Sequence, residues 1–83
     1  MSTPDLDRAR RAIGRVLVHG EHKHPGRGDA WLSRPALRDL AAALRHLSRA
    51  IEDPTSRDEE SGELHLAHVA ARVMLALERI ERR

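Results

Sequence analysis

Apolar residues in this chain recur at three- and four-residue intervals in three segments, which is the spacing of one face of an α-helix. No segment shows the two-residue alternation of a half-buried strand. The first helix is predicted over about residues 4–19, with Thr3 as its N-terminal cap and Pro4 at its first position. Its apolar face consists of Leu6, Ala9, Ile13, Val16 and Leu17.

A second helix is predicted over about residues 34–52, with Ser33 as its cap and Asp53-Pro54 as its end. One stripe of this helix, covering roughly 80° of arc, is entirely apolar. The stripe consists of Leu37, Leu40, Leu44, Leu47 and Ile51. Trp31 is the single aromatic residue, so the core is predicted to be aliphatic.

The third helix, over about residues 63–82, is apolar on nearly every side except one strip of roughly 60°. That strip consists of His65, His68, Arg72, Arg79 and Arg83. A helix that is apolar on most sides is either central in its domain or buried in an oligomer interface. We therefore predict a single all-α domain over residues 1–83, a three-helix bundle completed by homo-oligomerisation.

Two polar segments connect the helices. The loop over residues 20–33 contains three glycines and a proline, and a loop of this length in a small domain is more often functional than idle. The acidic turn over residues 53–62 leads into the third helix. Lys23 and Arg27 in the first loop suit phosphate binding, and Trp31 is expected either to plug the core or to stack on a base.

The length and composition limit the function classes. A chain of 83 residues builds only a small core, and domains of this size often need a partner copy. The absence of cysteine excludes disulfides and cysteine-based zinc sites, and no apolar run is long enough to span a membrane. We expect a soluble, cytoplasmic protein. Fifteen basic residues against thirteen acidic ones leave a net charge of +2, too balanced for binding a nucleic acid polymer.

The strip on the third helix is the strongest candidate for chemistry. His65, His68 and Arg72 share one helical face, so their side chains can converge on one anion or metal near the positive helix N-terminus. The alternative is that the strip is the solvent-exposed edge of a buried helix. His46, on the second helix, is expected to be a structural histidine when taken alone. Beside His65 and His68 it becomes a third member of a site.

The acidic turn has two interpretations. Its carboxylates, with Asp58 foremost, could bind a metal, since Mg²⁺ usually takes one or two carboxylates together with substrate phosphates. Alternatively, Asp58 or Ser61 caps the third helix and the glutamates complement its dipole. A two-magnesium site with four carboxylates on facing helices requires a second copy of the chain.

The order of these motifs resembles a known family. Arg45-His46, followed by Asp58-x-x-Ser61-Gly62-x-x-His65-x-x-His68, is similar to the dATP/dGTP diphosphohydrolase N-terminal domain, a small phage-associated family. The resemblance spans roughly residues 20–80 and also includes Lys23, Gly26 and Trp31. The chain departs from the family in carrying His24 where an aromatic is usual, and Asp29-Ala30 where an asparagine precedes the tryptophan.

The resemblance implies an all-α protein of phage or prophage origin that acts on purine nucleotides. From these residues together we expect Lys23, Arg27, Arg45 and Arg72 to bind the phosphates, Trp31 to contact the base, and His46, His65 and His68 to have the catalytic role. Asp58, His65 and His68 would bind a metal, either Mg²⁺ or Mn²⁺. Three functions remain open: hydrolysis of a nucleoside triphosphate to monophosphate and pyrophosphate, sequestration of a nucleotide as an anti-defence sponge, or a structural helical module.

Overall fold

The computed structural model describes residues 2–23 and 29–83, and over these ranges the chain folds into three α-helices of 17 residues each. These helices are α1 (Asp7–Lys23), α2 (Ala36–Glu52) and α3 (His65–Glu81). A short 3₁₀ turn, Ala30–Leu32, precedes α2, and one isolated antiparallel bridge joins Arg57 to Leu64. No strand occurs in the described ranges. The predicted all-α three-helix fold is therefore confirmed.

The helix ends differ from those expected. At the N-terminus of α1, the Asp5 carboxylate, rather than Thr3, accepts a hydrogen bond from the Asp7 amide (3.0 Å). At its other end α1 runs through Gly20 to Lys23, because a single glycine weakens a helix without ending it. Ser33 does not cap α2: its hydroxyl donates to the carbonyl of Ala30 (3.0 Å), and Pro35 occupies the cap position. The expected loop is consequently shorter, and its residues 24–28 lie outside the described part of the chain.

Helix α3 is central, as its nearly continuous apolar character indicates. Helix α1 packs on it through a small cluster in which Val16 contacts Ala67 and Ala71. Helix α2 runs antiparallel along another side of α3, so that residues late in α2 meet residues early in α3. None of the helices in the described ranges is long and apolar enough to cross a lipid bilayer.

The packed face of α2 is not the leucine stripe. The residues of α2 that are buried are Asp39, Ala42, Ala43 and Ala50. The stripe points away from α3, and Leu37 and Ile51 are each 74% exposed. Periodicity correctly identified the stripe as one face of α2, but within one copy this face is not the one that packs on α3. Alanine side chains let two helices approach closely, and the polar groups between α2 and α3 pair with each other. The alanine-containing face of α2 is therefore the one that packs on α3.

Candidate functional site

The acidic segment forms a tight turn directly before the start of α3. The Asp58 carboxylate accepts a hydrogen bond from the Ser61 amide (2.9 Å), and the Asp58 amide donates to the carbonyl of Glu63 (2.8 Å). Gly62 has a φ of 76°, in the left-handed region that favours glycine. Asp58 therefore caps the turn rather than the helix, and no side chain in the described residues caps α3, where Leu64 occupies the cap position.

Three histidines meet directly beyond this turn. His46 Nδ1 lies 2.8 Å from His65 Nδ1, which is hydrogen-bond distance, and the His46 ring stacks on that of His68 with centroids 4.4 Å apart. His68 Nε2 in turn lies 2.6 Å from the Ser61 hydroxyl and 3.7 Å from the Asp58 carboxylate. We call these five residues, His46, Asp58, Ser61, His65 and His68, the histidine cluster.

The environment of the cluster keeps two of its rings neutral. Burial, and then the neighbouring His68 and His65, lower the pKa of His46 from 6.5 to about 4. Burial also lowers the pKa of His68, against the opposing effect of Asp58. Burial tends to raise the pKa of Asp58, but the hydrogen bonds from Ser61 and the nearby imidazoles outweigh it and lower that pKa. At neutral pH the cluster thus combines the neutral imidazoles of His46 and His68 with an ionised carboxylate.

A second polar centre lies two helical turns away along the same interface. Asp39 is completely buried, and its carboxylate accepts hydrogen bonds from Arg34 (3.0 Å), Arg72 (2.8 Å) and Arg79 (2.5 Å). Burial acts to raise the pKa of Asp39, but hydrogen bonds from Arg72 and Arg79 outweigh it and hold that pKa below its usual value. Sequence reasoning missed this centre. The available signal was that Asp39 and His46, seven residues apart, share a face of α2.

The polar strip of α3 therefore faces α2. His65 and His68 are 6% and 8% exposed, and Arg79 is 7% exposed. The interpretation of this strip as a solvent-exposed edge is wrong for all its residues except the exposed Arg83, because the others find partners on α2 and in the acidic turn.

The candidate phosphate-binding residues occupy different positions. Arg72 pairs with Asp39 but keeps 37% of its side chain exposed, one helical turn beyond His68. Arg45 is exposed beside His46 on α2. Lys23 pairs with Glu60 at 2.9 Å, which brings it to the end of the molecule that holds the acidic turn. Arg27 lies outside the described residues.

Trp31 lies at the opposite end of α3 from the histidines. Arg79 and Arg82 lie over its ring, at 5.8 and 5.5 Å from the centroid, and its carbonyl accepts a hydrogen bond from Arg79 (3.0 Å). Arg79 follows His65 by fourteen residues, which is about 21 Å along a helix. The structure thus brings the histidines and Asp58 together but places Trp31 away from them.

Comparison with known proteins gives one finding. The model of a family described as dATP/dGTP diphosphohydrolase, N-terminal, matches residues 6–83, a range that includes the histidine cluster and the Asp39 centre. No curated protein and no solved structure matches the chain.

Proposed function

The chain belongs to the dATP/dGTP diphosphohydrolase N-terminal family, and on this basis we propose that the histidine cluster binds a purine nucleotide through its phosphates. The observation that carries the proposal is the convergence of three imidazoles and one carboxylate at the start of α3. Buried polar side chains that gather at one point, next to a helix N-terminus, form the kind of site that holds a phosphate group.

The residues around the cluster supply positive charge for this ligand. Arg72 presents the exposed part of its guanidinium one turn along α3 from His68, and Arg45 is exposed one residue before His46. Lys23 lies near the acidic turn, where a phosphate could replace its partner Glu60. Guanidinium groups bind phosphate oxygens through two hydrogen bonds, so we assign the main phosphate contacts to Arg45 and Arg72.

Binding without chemistry is the activity that the side chains of one copy support best. Two of the nearby carboxylates already have cationic partners, Glu63 with Arg15 and Glu60 with Lys23. Asp58 is the carboxylate that contacts the histidines within the described residues. A phage-encoded protein of this kind would serve to sequester a nucleotide signal of host defence.

Hydrolysis is the second candidate, and the family match favours it. The reaction would split a nucleoside triphosphate into monophosphate and pyrophosphate, with His46, His65 and His68 acting on the phosphates. Mg²⁺ or Mn²⁺ would accompany the triphosphate in this case. Since two-metal hydrolysis needs more carboxylates than Asp58, the additional acids would come from a second copy of the chain.

We further propose that two copies associate through the leucine stripe of α2. The stripe is a contiguous apolar face, with Leu44 64% exposed at its centre. Large exposed apolar patches are rare on monomers and mark interaction surfaces. A single helix face that packs against its own copy forms a self-complementary two-fold interface, the commonest arrangement in homo-oligomers.

Calorimetric titration tests the proposed function. Purified protein is titrated with dATP, dGTP and dCTP in the presence of Mg²⁺, and pyrophosphate release is followed in parallel. We expect saturable binding of the purine nucleotides that His65→Gln weakens at least tenfold. The exposed His22→Gln serves as the matched control and should bind like the wild type. Binding without pyrophosphate supports sequestration, turnover supports the hydrolase, and no binding of any nucleotide contradicts both.

A further inference from the structure

The charges of the histidine cluster pose a problem for direct phosphate binding. Asp58 is a carboxylate, and it would repel a phosphate placed between it and the imidazoles. The hydrogen bond between His46 Nδ1 and His65 Nδ1 requires that one of the two nitrogens accept, so these rings are not both cationic. Once the proton between the two Nδ1 atoms is released, both imidazole lone pairs and the Asp58 carboxylate are electron-pair donors, a set that suits a cation.

The donor atoms converge on one point. One ring nitrogen of His46, one ring nitrogen of His65 and one carboxylate oxygen of Asp58 all lie within 4.8 Å of one another. Three ligands placed 2.0–2.1 Å from a tetrahedral metal ion are separated from each other by about 3.4 Å. The two Nδ1 atoms, at 2.8 Å, need to separate by roughly half an ångström, and the carboxylate oxygen already lies within 4.8 Å of a nitrogen of each ring.

The chemistry of the donors selects the class of metal. Mg²⁺ and Mn²⁺ prefer carboxylate, carbonyl and water oxygens, and two imidazoles with a single carboxylate do not fit that preference. Imidazole nitrogens suit zinc and its neighbours among the divalent transition metals. We propose that His46, His65 and Asp58 bind a zinc-class transition-metal ion, three protein ligands that leave a fourth position open.

The remaining members of the cluster would hold these ligands in place. The His68 ring stacks on the His46 ring, and Ser61 fixes His68 through the 2.6 Å hydrogen bond to Nε2. Ser61 also donates its amide to Asp58. Residues that orient the ligands of a metal typically change its affinity 10- to 100-fold when mutated. His68 and Ser61 are thus positioning residues rather than ligands in this proposal.

The metal proposal deepens the proposed function and rests on it for the identity of the fourth ligand. A site with three protein ligands keeps one position for water or substrate. A phosphate oxygen of the nucleotide would take that position, and the charge of the metal would offset that of Asp58. Arg72, which is partly exposed nearby, would then contact the same phosphate.

Metal binding is measured without nucleotide, so that its failure is distinct from failure of nucleotide binding. The protein is stripped with a chelator and titrated with Co²⁺, whose visible absorption reports tetrahedral coordination, and then with Zn²⁺ in competition with a chromophoric chelator. We expect one ion per chain. His46→Gln and Asp58→Asn should each weaken Zn²⁺ at least tenfold, and Ser61→Ala should have an effect in the same direction.

His22→Gln is the matched control because His22 is an exposed histidine on α1. Circular dichroism on each variant separates loss of a ligand from loss of the fold. Absence of Zn²⁺ binding by the wild type, or binding that folded His46→Gln and Asp58→Asn retain in full, overturns the proposal. If zinc binds but nucleotides do not, with or without the metal, the metal site stands and the nucleotide function fails.

Discussion

At the scale of single residues, Asp39 forms three ion pairs, more than any other side chain in the described part of the chain. Its carboxylate is fully buried and joins three arginines that come from the segment before α2 and from α3. A buried carboxylate with this many charge-assisted hydrogen bonds stays ionised, and its loss leaves buried guanidinium groups without a counter-charge. Arg79 shows this dependence most clearly, because its Nε already lacks a hydrogen-bond partner among the described residues.

We expect Asp39→Asn to destabilise the protein by about 3–5 kcal/mol, the cost of removing one partner from a buried ion pair. For a domain of this size such a loss is a large part of the total stability. The midpoint of urea unfolding, followed by circular dichroism, measures the effect. Glu52→Gln, at an exposed position at the end of α2, is the control. An Asp39→Asn midpoint equal to that of the control would contradict the role of Asp39 as the buried counter-charge of the arginines.

His46 should make stability depend on pH. Its pKa is about 4 in the folded protein and close to 6.5 in the unfolded chain, so the unfolded state binds the proton first as pH falls. The free energy of unfolding should therefore be constant above about pH 6.5 and decrease between pH 6.5 and about 4, by at most about 3 kcal/mol. The lowered pKa of His68 adds a change of the same sign. The charged and titratable groups facing His46 are His65, His68, Asp58 and Arg72.

Unfolding measured at several pH values checks this expectation. His46→Gln should reduce the slope between pH 6.5 and 4, whereas His22→Gln should leave it unchanged. A wild-type free energy of unfolding that stays constant between pH 6.5 and 4 would contradict this explanation. So would a slope that is the same in His46→Gln.

At the scale of helices, α2 and α3 pack in an unusual way: their shared face is made of alanines and polar groups. Ala42 and Ala43, on the packed face of α2, are nearly inaccessible to solvent, which means that the two backbones approach closely. This close approach is what allows short contacts such as those of His46 with His65 and of Asp39 with Arg72. The geometry of the histidine cluster thus depends on the small volume of the neighbouring side chains.

Enlarging one of these alanines should push the helices apart. Ala43→Leu is expected to cost about 1–3 kcal/mol through overpacking, which for a domain of this size lowers Tm by roughly 5–20 °C. It should also weaken binding at the histidine cluster. Ala41→Leu adds the same side chain at an exposed position of α2 and should leave Tm within a few degrees. Equal Tm values for the two variants would show that the interface tolerates a wider spacing.

Much of the fold follows from the sequence, and the limits have physical causes. The three helices are predictable because apolar spacing is a property of each segment alone. Among the candidate site residues, His65 and His68 are predictable because their spacing places them on one face of α3. His46 is predictable because the family motif includes it. Asp39 was not predictable in this way, since a lone acid on a helix is usually solvated and only the tertiary contact with the arginines reveals its role.

At the scale of the molecule, the packing of the three helices leaves most of the larger apolar side chains in the described residues exposed to solvent. Periodicity shows that α2 has an apolar face, but it does not say what covers that face, and within one copy the leucine stripe stays exposed. Among the residues of one copy that the structure describes, the buried apolar side chains are all alanines except Val16. The burial of apolar surface is the main stabilising contribution in folding, and its size is proportional to the buried area. A second copy would therefore add the buried apolar area that one copy lacks.

Placing a charge in the leucine stripe should separate the copies. We expect Leu44→Glu to shift the protein from dimer to monomer in size-exclusion chromatography with light scattering, and to lower its stability at a given concentration. Val18→Glu, at a half-exposed apolar position of α1, is the matched control and should leave the dimer intact. A wild-type protein that is monomeric at all concentrations tested would contradict the proposed association.

The alternation of polar and alanine positions along α2 and α3 also determines how the two helices align lengthwise. Alanine surfaces are smooth, and on their own they would accept α3 shifted by one turn, about 5.4 Å, with little penalty. Such a shift would move His46 away from His65 and Asp39 away from Arg72 at the same time, leaving buried groups unpaired at both ends. Buried polar residues are best known for selecting one register among several. Here the buried polar side chains of α2 and α3 each find a partner in one lengthwise alignment of the two helices. That alignment is the one that brings the histidine cluster together.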